Sequence, residues 1–241
     1  MSGARSSYSF LLSFTIVDFT LATLTVLGNA LLLMTILLNP LRCLRTPIAY
    51  LIANLAFSDL FMGFVIGYSS AVLSCFMYQD KTPPYWMHAV VNVGGGTTLG
   101  SGNWTVIAMA VDRYMAVTDP LRYSERKTAR RVLIFIVLSW AIAFTVPVSF
   151  YSLARQSWTI VLLVSSHTHF TIPVFVLLFA CVRIFQSLAS RRRELVRLAT
   201  SISNMTPRHT LERERKMAFT MLTILTLFCA SFLPLYEKFS F

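Results

Sequence analysis

The stretch that decides the fold is residues 82–113, TPPYWMHAVVNVGGGTTLGSGNWTVIAMAVDR. It contains no Asp, Glu, Lys or Arg until it closes with Asp112 and Arg113. A helix rises about 1.5 Å per residue, so about 20 apolar residues cross a hydrocarbon core about 30 Å thick. Because lipid cannot solvate backbone groups, an uncharged run of this length must be helical inside a bilayer. The stretch therefore predicts a transmembrane helix.

Low-charge runs of similar length recur along the chain, which is 56% hydrophobic and 13% charged. About 25% of an average soluble domain is charged, and one globular core could not hide so much apolar surface. The composition therefore predicts an all-α membrane protein. We predict an N-terminal segment over 1–12, a long loop over 186–215, an end segment over 238–241 and six transmembrane helices. The helices are predicted at about 13–38, 48–76, 87–117, 132–152, 158–184 and 217–237.

The distribution of basic residues predicts the orientation of these helices. A formal net charge of +11 would suit a nucleic-acid partner if the charges shared one folded surface. Most of the 21 Lys and Arg residues instead fall in the three loops on one side of the membrane. The other side keeps Arg5, Lys81, Arg155 and Lys238. Since basic loops stay in the cytosol, we expect an extracellular N-terminus, a third cytoplasmic loop at 186–215, and contact with anionic membrane lipids rather than nucleic acid.

Polar and helix-bending residues inside the predicted helices carry the functional information, because each is costly in lipid unless it has a partner or a role. They are Asn29, Asp59, the Asp112-Arg113-Tyr114 box, Trp140, Pro173, Phe228, Phe232 and Pro234. In this order, they resemble the rhodopsin-like (class A) G-protein-coupled receptors. The most specific part is the box with the Asp-Pro-Leu-Arg-Tyr loop that follows it at 119–123.

The resemblance covers nearly all of residues 13–237 and implies a seven-transmembrane receptor bundle with six of its helices in this chain. It implies a multi-pass protein of the plasma membrane that transmits an extracellular signal to a heterotrimeric G protein. The sixth predicted helix ends shortly before Phe241, so we expect the seventh helix to be missing and this chain alone not to signal. A truncated gene product or a natural six-helix decoy would both account for this.

The resemblance gives Asp112, Arg113, Tyr114 and Glu214 a role in an ionic latch and in G-protein coupling. Glu214 precedes Pro234 by about 30 Å of helix, which places it at the cytosolic end of the sixth helix. Desolvated Arg–carboxylate pairs are directional and break at a definite cost, as a two-state element requires. The alternative is that these charges only reach out to the lipid headgroups.

Asn29 and Asp59 resemble the midplane polar network of the family, which helps to bind sodium. The alternative is a structural hydrogen bond between the first two helices, which needs no ion. Gly102 stands where the family often has a serine facing this aspartate, which disfavours a sodium site.

Phe228, Phe232 and Pro234 resemble the switch of the sixth helix, with Phe232 in place of the usual tryptophan. Pro234 removes a backbone hydrogen bond and would kink the helix. Ordinary core packing is the alternative for the two aromatic residues. Trp140 and Pro173 resemble helix-packing positions of the fourth and fifth helices.

The ligand is the least determined feature. Glycines at 94, 95, 96, 100 and 102 predict either close helix packing or room for a bulky ligand. Gly95 stands where amine receptors carry an aspartate, which disfavours an amine ligand. His88 replaces a disulfide cysteine, and the short second outer loop without cysteine resembles the melanocortin, cannabinoid and lysophospholipid branch. The inner loop at 119–123 resembles that of amine receptors instead, so the branch stays open. The candidate ligand contacts are Gly95, Leu99 and Phe232. The ligand is expected to be a small molecule, a lipid or a peptide.

Catalytic motifs are absent from the sequence: there is no HExxH, no G-x-S-x-G and no phosphate loop. We therefore expect neither an enzyme nor a cofactor or metal site. A transporter or channel component is the alternative on composition alone, with Asp59 as an ion relay. Inverted repeats or paired broken helices would favour a transporter, and the sequence has neither.

Overall fold

A computed structural model of the chain describes residues 2–38, 46–118, 123, 128–153, 167, 171–199, 219 and 223. These residues form helices and short connections, and no strand occurs among them. The α-helices are α1 (Ser2–Leu38), α2 (Pro47–Phe61), α3 (Tyr68–Tyr78), α4 (Tyr85–Ala89), α5 (Gly95–Thr118), α6 (Ala129–Leu153) and α7 (Ile172–Ala199). Two π turns join consecutive helices, Met62–Gly67 between α2 and α3 and Val90–Gly94 between α4 and α5.

Three stretches of the described helices are long and apolar enough to cross a membrane: Leu12–Leu38, Pro47–Tyr78 and Ala129–Ser149. The apolar part of α7, Ile172–Ser187, is shorter. Large apolar side chains on these helices are exposed, including Leu31 on α1 and Val137 on α6. Such faces would be costly in water and suit contact with lipid tails. The architecture is that of an all-α membrane protein.

The helices extend beyond the predicted spans at two places. α1 begins at Ser2, so residues 2–12 continue the first helix, and it ends two residues before Pro40. α7 runs on to Ala199 through the first part of the predicted 186–215 loop, whose Arg, Glu and Leu residues favour helix. The predicted 217–237 helix and the 238–241 end lie outside the described residues, apart from 219 and 223.

The chain divides into two compact units. The first comprises Met1–Thr105 and Ala129–Leu162. In it, α1 packs against α2, the π turn and α3, and the contact needs small residues. A Cβ atom added at Gly63 would lie 3.0 Å from the Ala22 carbonyl oxygen, and one at Gly67 would lie 2.7 Å from the Ala22 Cβ. Glycine at these two positions lets the helix backbones approach closely.

The space beside the glycine run at the start of α5 is filled by side chains of neighbouring segments. A Cβ added at Gly94 would lie 2.5 Å from the Ile66 Cδ1, and one at Gly96 would lie 2.9 Å from the Pro147 Cβ. Even at Gly95 the added atom would touch Ile66, at 3.6 Å. In the first unit these glycines therefore serve close packing against the Met62–Gly67 turn and α6.

The second unit comprises Val106–Thr128 and Leu163–Phe241. Its described core joins α5 to α7 through small and aliphatic side chains. They are Val106, Ala110, Leu177, Ala180 and Cys181. Small residues on both helices let the C-terminal half of α5 lie close to α7, and this contact positions the Asp112-Arg113-Tyr114 box.

Candidate functional site

The Asp112-Arg113-Tyr114 box lies near the end of α5 in the second unit. The Asp112 carboxylate Oδ2 is 3.0 Å from the Arg113 Nη2. The Tyr123 hydroxyl donates to the same carboxylate, 3.1 Å from each of its oxygens. The Asp112 side chain is 10% exposed and that of Arg113 is 25% exposed. A nearly buried carboxylate thus meets a cation and a phenol at the same point.

This arrangement is a charge-assisted cluster. A buried carboxylate is expensive unless it is both paired and hydrogen-bonded, and Arg113 and Tyr123 supply one interaction of each kind. Because Arg113 and Tyr123 both bind the Asp112 carboxylate, the guanidinium is held against α5 as long as that carboxylate keeps its position. Glu214, the other predicted partner of Arg113, lies outside the described residues.

Tyr123 is not among the residues that the sequence predicts for the site. It lies 11 residues beyond Asp112, at the end of the Asp-Pro-Leu-Arg-Tyr stretch, and is half-buried. A phenol following a helix that ends in a buried acid is a usable signal, since a tyrosine hydroxyl usually finds a partner when it is buried. Tyr114 is half-buried, and its carbonyl oxygen accepts a hydrogen bond from the Thr118 hydroxyl at 2.9 Å.

A second polar network joins three helices of the first unit. The Trp140 Nε1 on α6 donates to the Asn54 Oδ1 on α2 at 2.8 Å. The Asn54 Nδ2 donates to the Thr105 Oγ1 on α5 at 2.7 Å, and that hydroxyl donates to the Ser101 carbonyl oxygen at 2.7 Å. The Phe57 ring lies edge-on to Trp140, with 5.9 Å between centroids.

This network holds the helices together through satisfied buried polar groups. Asn54 and Thr105 are buried. Leaving a buried amide without a partner costs more free energy than a satisfied hydrogen bond contributes to stability. The sequence predicts Trp140 as a packing residue but does not identify Asn54 or Thr105. Their polarity inside low-charge runs is the available signal.

The predicted midplane residues lie on neighbouring helices and do not meet in the described contacts. The Asn29 Nδ2 donates to the Thr25 carbonyl oxygen of its own helix at 3.0 Å. Asp59 is half-buried on α2, one residue beyond Ser58, whose hydroxyl donates to the Thr98 carbonyl oxygen at 2.8 Å. Within the described ranges, no three His, Cys, Asp or Glu side chains converge as they would around a metal ion.

A further carboxylate, Asp18, lies toward the N-terminal end of the apolar part of α1. Its Oδ2 accepts a hydrogen bond from the Ser70 hydroxyl on α3 at 3.2 Å. Nearby, the Thr23 and Tyr68 hydroxyl oxygens are 3.2 Å apart, and the Tyr68 ring centroid lies 5.3 Å from that of Phe19. The sequence predicts none of these as site residues.

The remaining predicted residues are placed as follows. Pro173 is buried at the beginning of α7. On α5, Leu99 is half-buried and Gly95 lies against Ile66. Phe228, Phe232 and Pro234 lie outside the described residues.

Comparison with known proteins decides the family. The family described as 7 transmembrane receptor (rhodopsin family) matches residues 28–237. The chain belongs to this family. The match includes every predicted site residue, and the prediction of a rhodopsin-like receptor with an all-α membrane bundle is confirmed. Members of this family are not enzymes, so the prediction of a non-enzyme is also confirmed, and the transporter alternative is not favoured.

Several curated receptors are similar to this chain. The human 5-hydroxytryptamine receptor 1D is 30% identical over 147 residues, which are 60% of this chain and 37% of that receptor. Melanopsin of Phodopus sungorus is 28% identical over 231 residues, 86% of this chain and 48% of melanopsin. Human trace amine-associated receptor 9 is 28% identical over 242 residues, covering 88% of this chain and 66% of that receptor. The chain thus spans about a third of the first of these receptors and half of the second.

Proposed function

We propose that this chain is the sensing and transducing body of a plasma-membrane receptor that activates a heterotrimeric G protein. Its membership of the rhodopsin family supports this, together with the Asp112–Arg113–Tyr123 cluster at the end of α5. The concentration of basic residues in the loops that contain this cluster supports a cytosolic position for it and an extracellular N-terminus.

The single observation that carries the proposal is the arginine held by a nearly buried carboxylate. Bound to Asp112, Arg113 is kept from other partners. Displacing the Tyr123 segment would expose the Asp112 carboxylate to water and weaken the pair, which would free a guanidinium with five donors. A G-protein segment that offers carbonyl oxygens could then accept it. Glu214 would add a second carboxylate that competes for Arg113 in the resting state, and Tyr114 would line the same surface.

The ligand that fits this receptor class is a small molecule entering from the extracellular side. Three of the similar receptors are named for 5-hydroxytryptamine, dopamine and trace amines. The Gly95 position of this chain offers no carboxylate to such a ligand and lies in van der Waals reach of Ile66. A lipid or peptide ligand would be the competing result of a ligand screen.

The experiment that tests coupling measures guanine-nucleotide exchange on G proteins in membranes from cells expressing the full-length protein. Replacement of Arg113 by Ala should reduce basal and ligand-driven exchange to the level of untransfected membranes, because the released guanidinium is the contact that couples. The matched control is Arg130→Ala, which removes an arginine near the start of α6 and should leave exchange unchanged. Solute uptake without nucleotide exchange would contradict the proposal.

A further inference from the structure

Placing the Asp18 carboxylate within a membrane span costs free energy. Asp18 is the acidic residue of the Leu12–Leu38 span, is half-buried, and sits about 16 Å along the helix from Asn29. In the described contacts its hydrogen bond comes from Ser70, a neutral hydroxyl, at 3.2 Å. An ionised acid within a membrane span needs a counter-charge, and a serine supplies none.

The direction of Asp18 on α1 separates it from lipid. Successive residues of a helix turn by about 100°, so Asp18, Ala22, Thr25 and Asn29 share one face. Ala22 is buried there against Gly63 and Gly67. The exposed face on the other side of the helix is formed by Ile16, Leu24, Leu27 and Leu31. The carboxylate is therefore on the protein-facing side of the helix, at its extracellular end under the proposed orientation.

The neighbouring aromatic cluster lies on a different flank of the α1–α3 contact. Thr23 is about 140° around α1 from Asp18. The rings that surround Tyr68 there, Phe19 and Phe64, are 57% and 61% exposed, as side chains facing lipid tails are. This flank of the α1–α3 contact faces lipid, and Asp18 and Ser70 lie on its other flank.

We infer that Asp18 and Ser70 form the anchoring point for the ammonium group of a small-molecule ligand, an inference that rests on the proposed receptor function. A carboxylate oxygen and a serine hydroxyl within hydrogen-bond distance offer an ammonium two acceptors, since the hydroxyl that donates to Asp18 keeps its own lone pairs. The ammonium would also supply a counter-charge, which the described contacts of Asp18 do not provide.

The ligand class follows from the groups present. A divalent metal takes six or more oxygen ligands or a cluster of acidic and imidazole side chains, and no such cluster occurs among the described residues. A single carboxylate with one hydroxyl suits a monovalent cation with N–H donors. Residues 82–111 contain no acid, so the part of α5 before Asp112 offers no competing carboxylate to the ammonium.

The test uses purified full-length protein and three amines, each paired with the alcohol of the same skeleton. The pairs are hexylamine and hexanol, 2-phenylethylamine and 2-phenylethanol, and tryptamine and tryptophol. Binding is measured from the ligand-dependent rise in the thermal unfolding midpoint. At least one amine should bind the wild type and its alcohol should not. Asp18→Asn should weaken that binding roughly 10-fold to 100-fold, as loss of a charge-assisted hydrogen bond does.

The control and the second variant keep the result interpretable. Asp80→Asn removes an exposed acid whose φ of 53° asparagine also adopts, and it should leave amine binding unchanged. Ser70→Ala keeps the carboxylate and should weaken binding less than Asp18→Asn. Equal affinity in wild type and Asp18→Asn would overturn the inference, and so would equal binding of amine and alcohol or binding by no amine in the panel. Stabilisation of the wild type by sodium chloride, with no added effect of the amines, would overturn it in favour of an inorganic cation.

Basal nucleotide exchange separates this inference from the proposed function. If the wild type exchanges nucleotide and Arg113→Ala does not, coupling stands whatever Asp18 does. If Asp18→Asn loses amine affinity but keeps wild-type basal exchange, the variant is folded and the site is assigned. Amine binding in a protein without exchange would support the site and contradict the coupling.

Discussion

At the residue scale, Asp112 is the side chain on which the cluster at the end of α5 depends. It is nearly buried and has a cation on one side and a phenol on the other. The ion pair is local, because Asp112 and Arg113 are adjacent in sequence, whereas the tyrosine comes from beyond the end of α5. Tyr123 therefore ties the segment after the helix to the helix itself.

Replacing Tyr123 with Phe should destabilise the protein by about 1 kcal/mol, the net worth of a hydrogen bond to a buried group. The ring is kept and only the hydroxyl is lost, so the effect reports the hydrogen bond to Asp112. The measurement is the thermal unfolding midpoint of the purified full-length protein in detergent. Tyr114→Phe is the control, since no hydrogen bond of its hydroxyl is seen in the described part of the chain. Equal midpoints for the two variants would show that the Tyr123 contact contributes nothing.

Only some of the residues in these polar contacts can be predicted from the sequence. Asp112 and Arg113 are predicted because charge inside a span is costly, and Trp140 is predicted from its place in the pattern that resembles the receptor family. The sequence does not predict four other residues, because each depends on a hydrogen-bond partner from another segment of the chain. These are Tyr123, Asn54, Thr105 and Asp18. The hydrogen bond from Trp140 to Asn54 joins residues 86 positions apart, and no local pattern encodes that separation.

At the scale of the elements, the contact of α1 with the Met62–Gly67 turn is set by glycine. Gly63 and Gly67 remove the side chains that would otherwise hold the backbones apart, and Ala22 fills the space between them. In lipid the helices gain nothing from hiding apolar surface, so close packing of this kind supplies the attraction.

Replacement of Gly67 by Ala should destabilise the protein by about 1–3 kcal/mol, the usual cost of overpacking. The new Cβ would lie 2.7 Å from the Ala22 Cβ, and neither atom can rotate away because both are fixed to backbone. Gly28→Ala is the matched control: its Cβ would meet nothing within 4 Å, so the variant should be neutral or more stable. Thermal unfolding of both variants gives the comparison, and a Gly67→Ala protein as stable as Gly28→Ala would contradict the packing argument.

The sequence predicts where helices run but not how each is wound. Hydropathy gives the span at 132–152, which lies inside α6 (Ala129–Leu153), and the span at 48–76, which lies inside the stretch Pro47–Tyr78. The π turns are not predicted, because a π turn changes the hydrogen-bond pattern and leaves the apolar composition unaltered. Helix starts and ends beyond the hydrocarbon depend on propensity alone, which is why α1 and α7 exceed their predicted spans.

At the scale of the whole molecule, a receptor of this family is a two-state device whose resting state must be held by breakable contacts. Under the proposed function, the Asp112–Arg113 pair is one such contact. Under the proposed function, Glu214 supplies another acid for Arg113, so the balance between states depends on both carboxylates.

Replacement of Glu214 by Ala should raise basal nucleotide exchange several-fold, because removing a contact of about 1–2 kcal/mol from the resting state shifts a two-state population by about 5-fold to 30-fold at most. Exchange on G proteins is measured without added ligand, at matched surface expression. Glu212→Ala is the control, an acid of the same segment two residues away. Unchanged basal exchange in a signalling-competent Glu214→Ala protein would remove Glu214 from the latch.

The π turn at Val90–Gly94 has a consequence for comparing this receptor with its relatives. A π turn accommodates about one residue more than an α turn, so side chains before it are rotated by about 100° relative to those after it. Counting back from Arg113 along an ideal α-helix therefore gives the wrong direction for the His88 side chain. The residue that points in the direction expected for position 88 is the preceding one, Met87, which is buried. For a relative whose helix is regularly α-helical here, an alignment that follows geometry would need a one-residue gap at this turn. Substitutions transferred from such a relative would then belong one position earlier in the stretch before the turn.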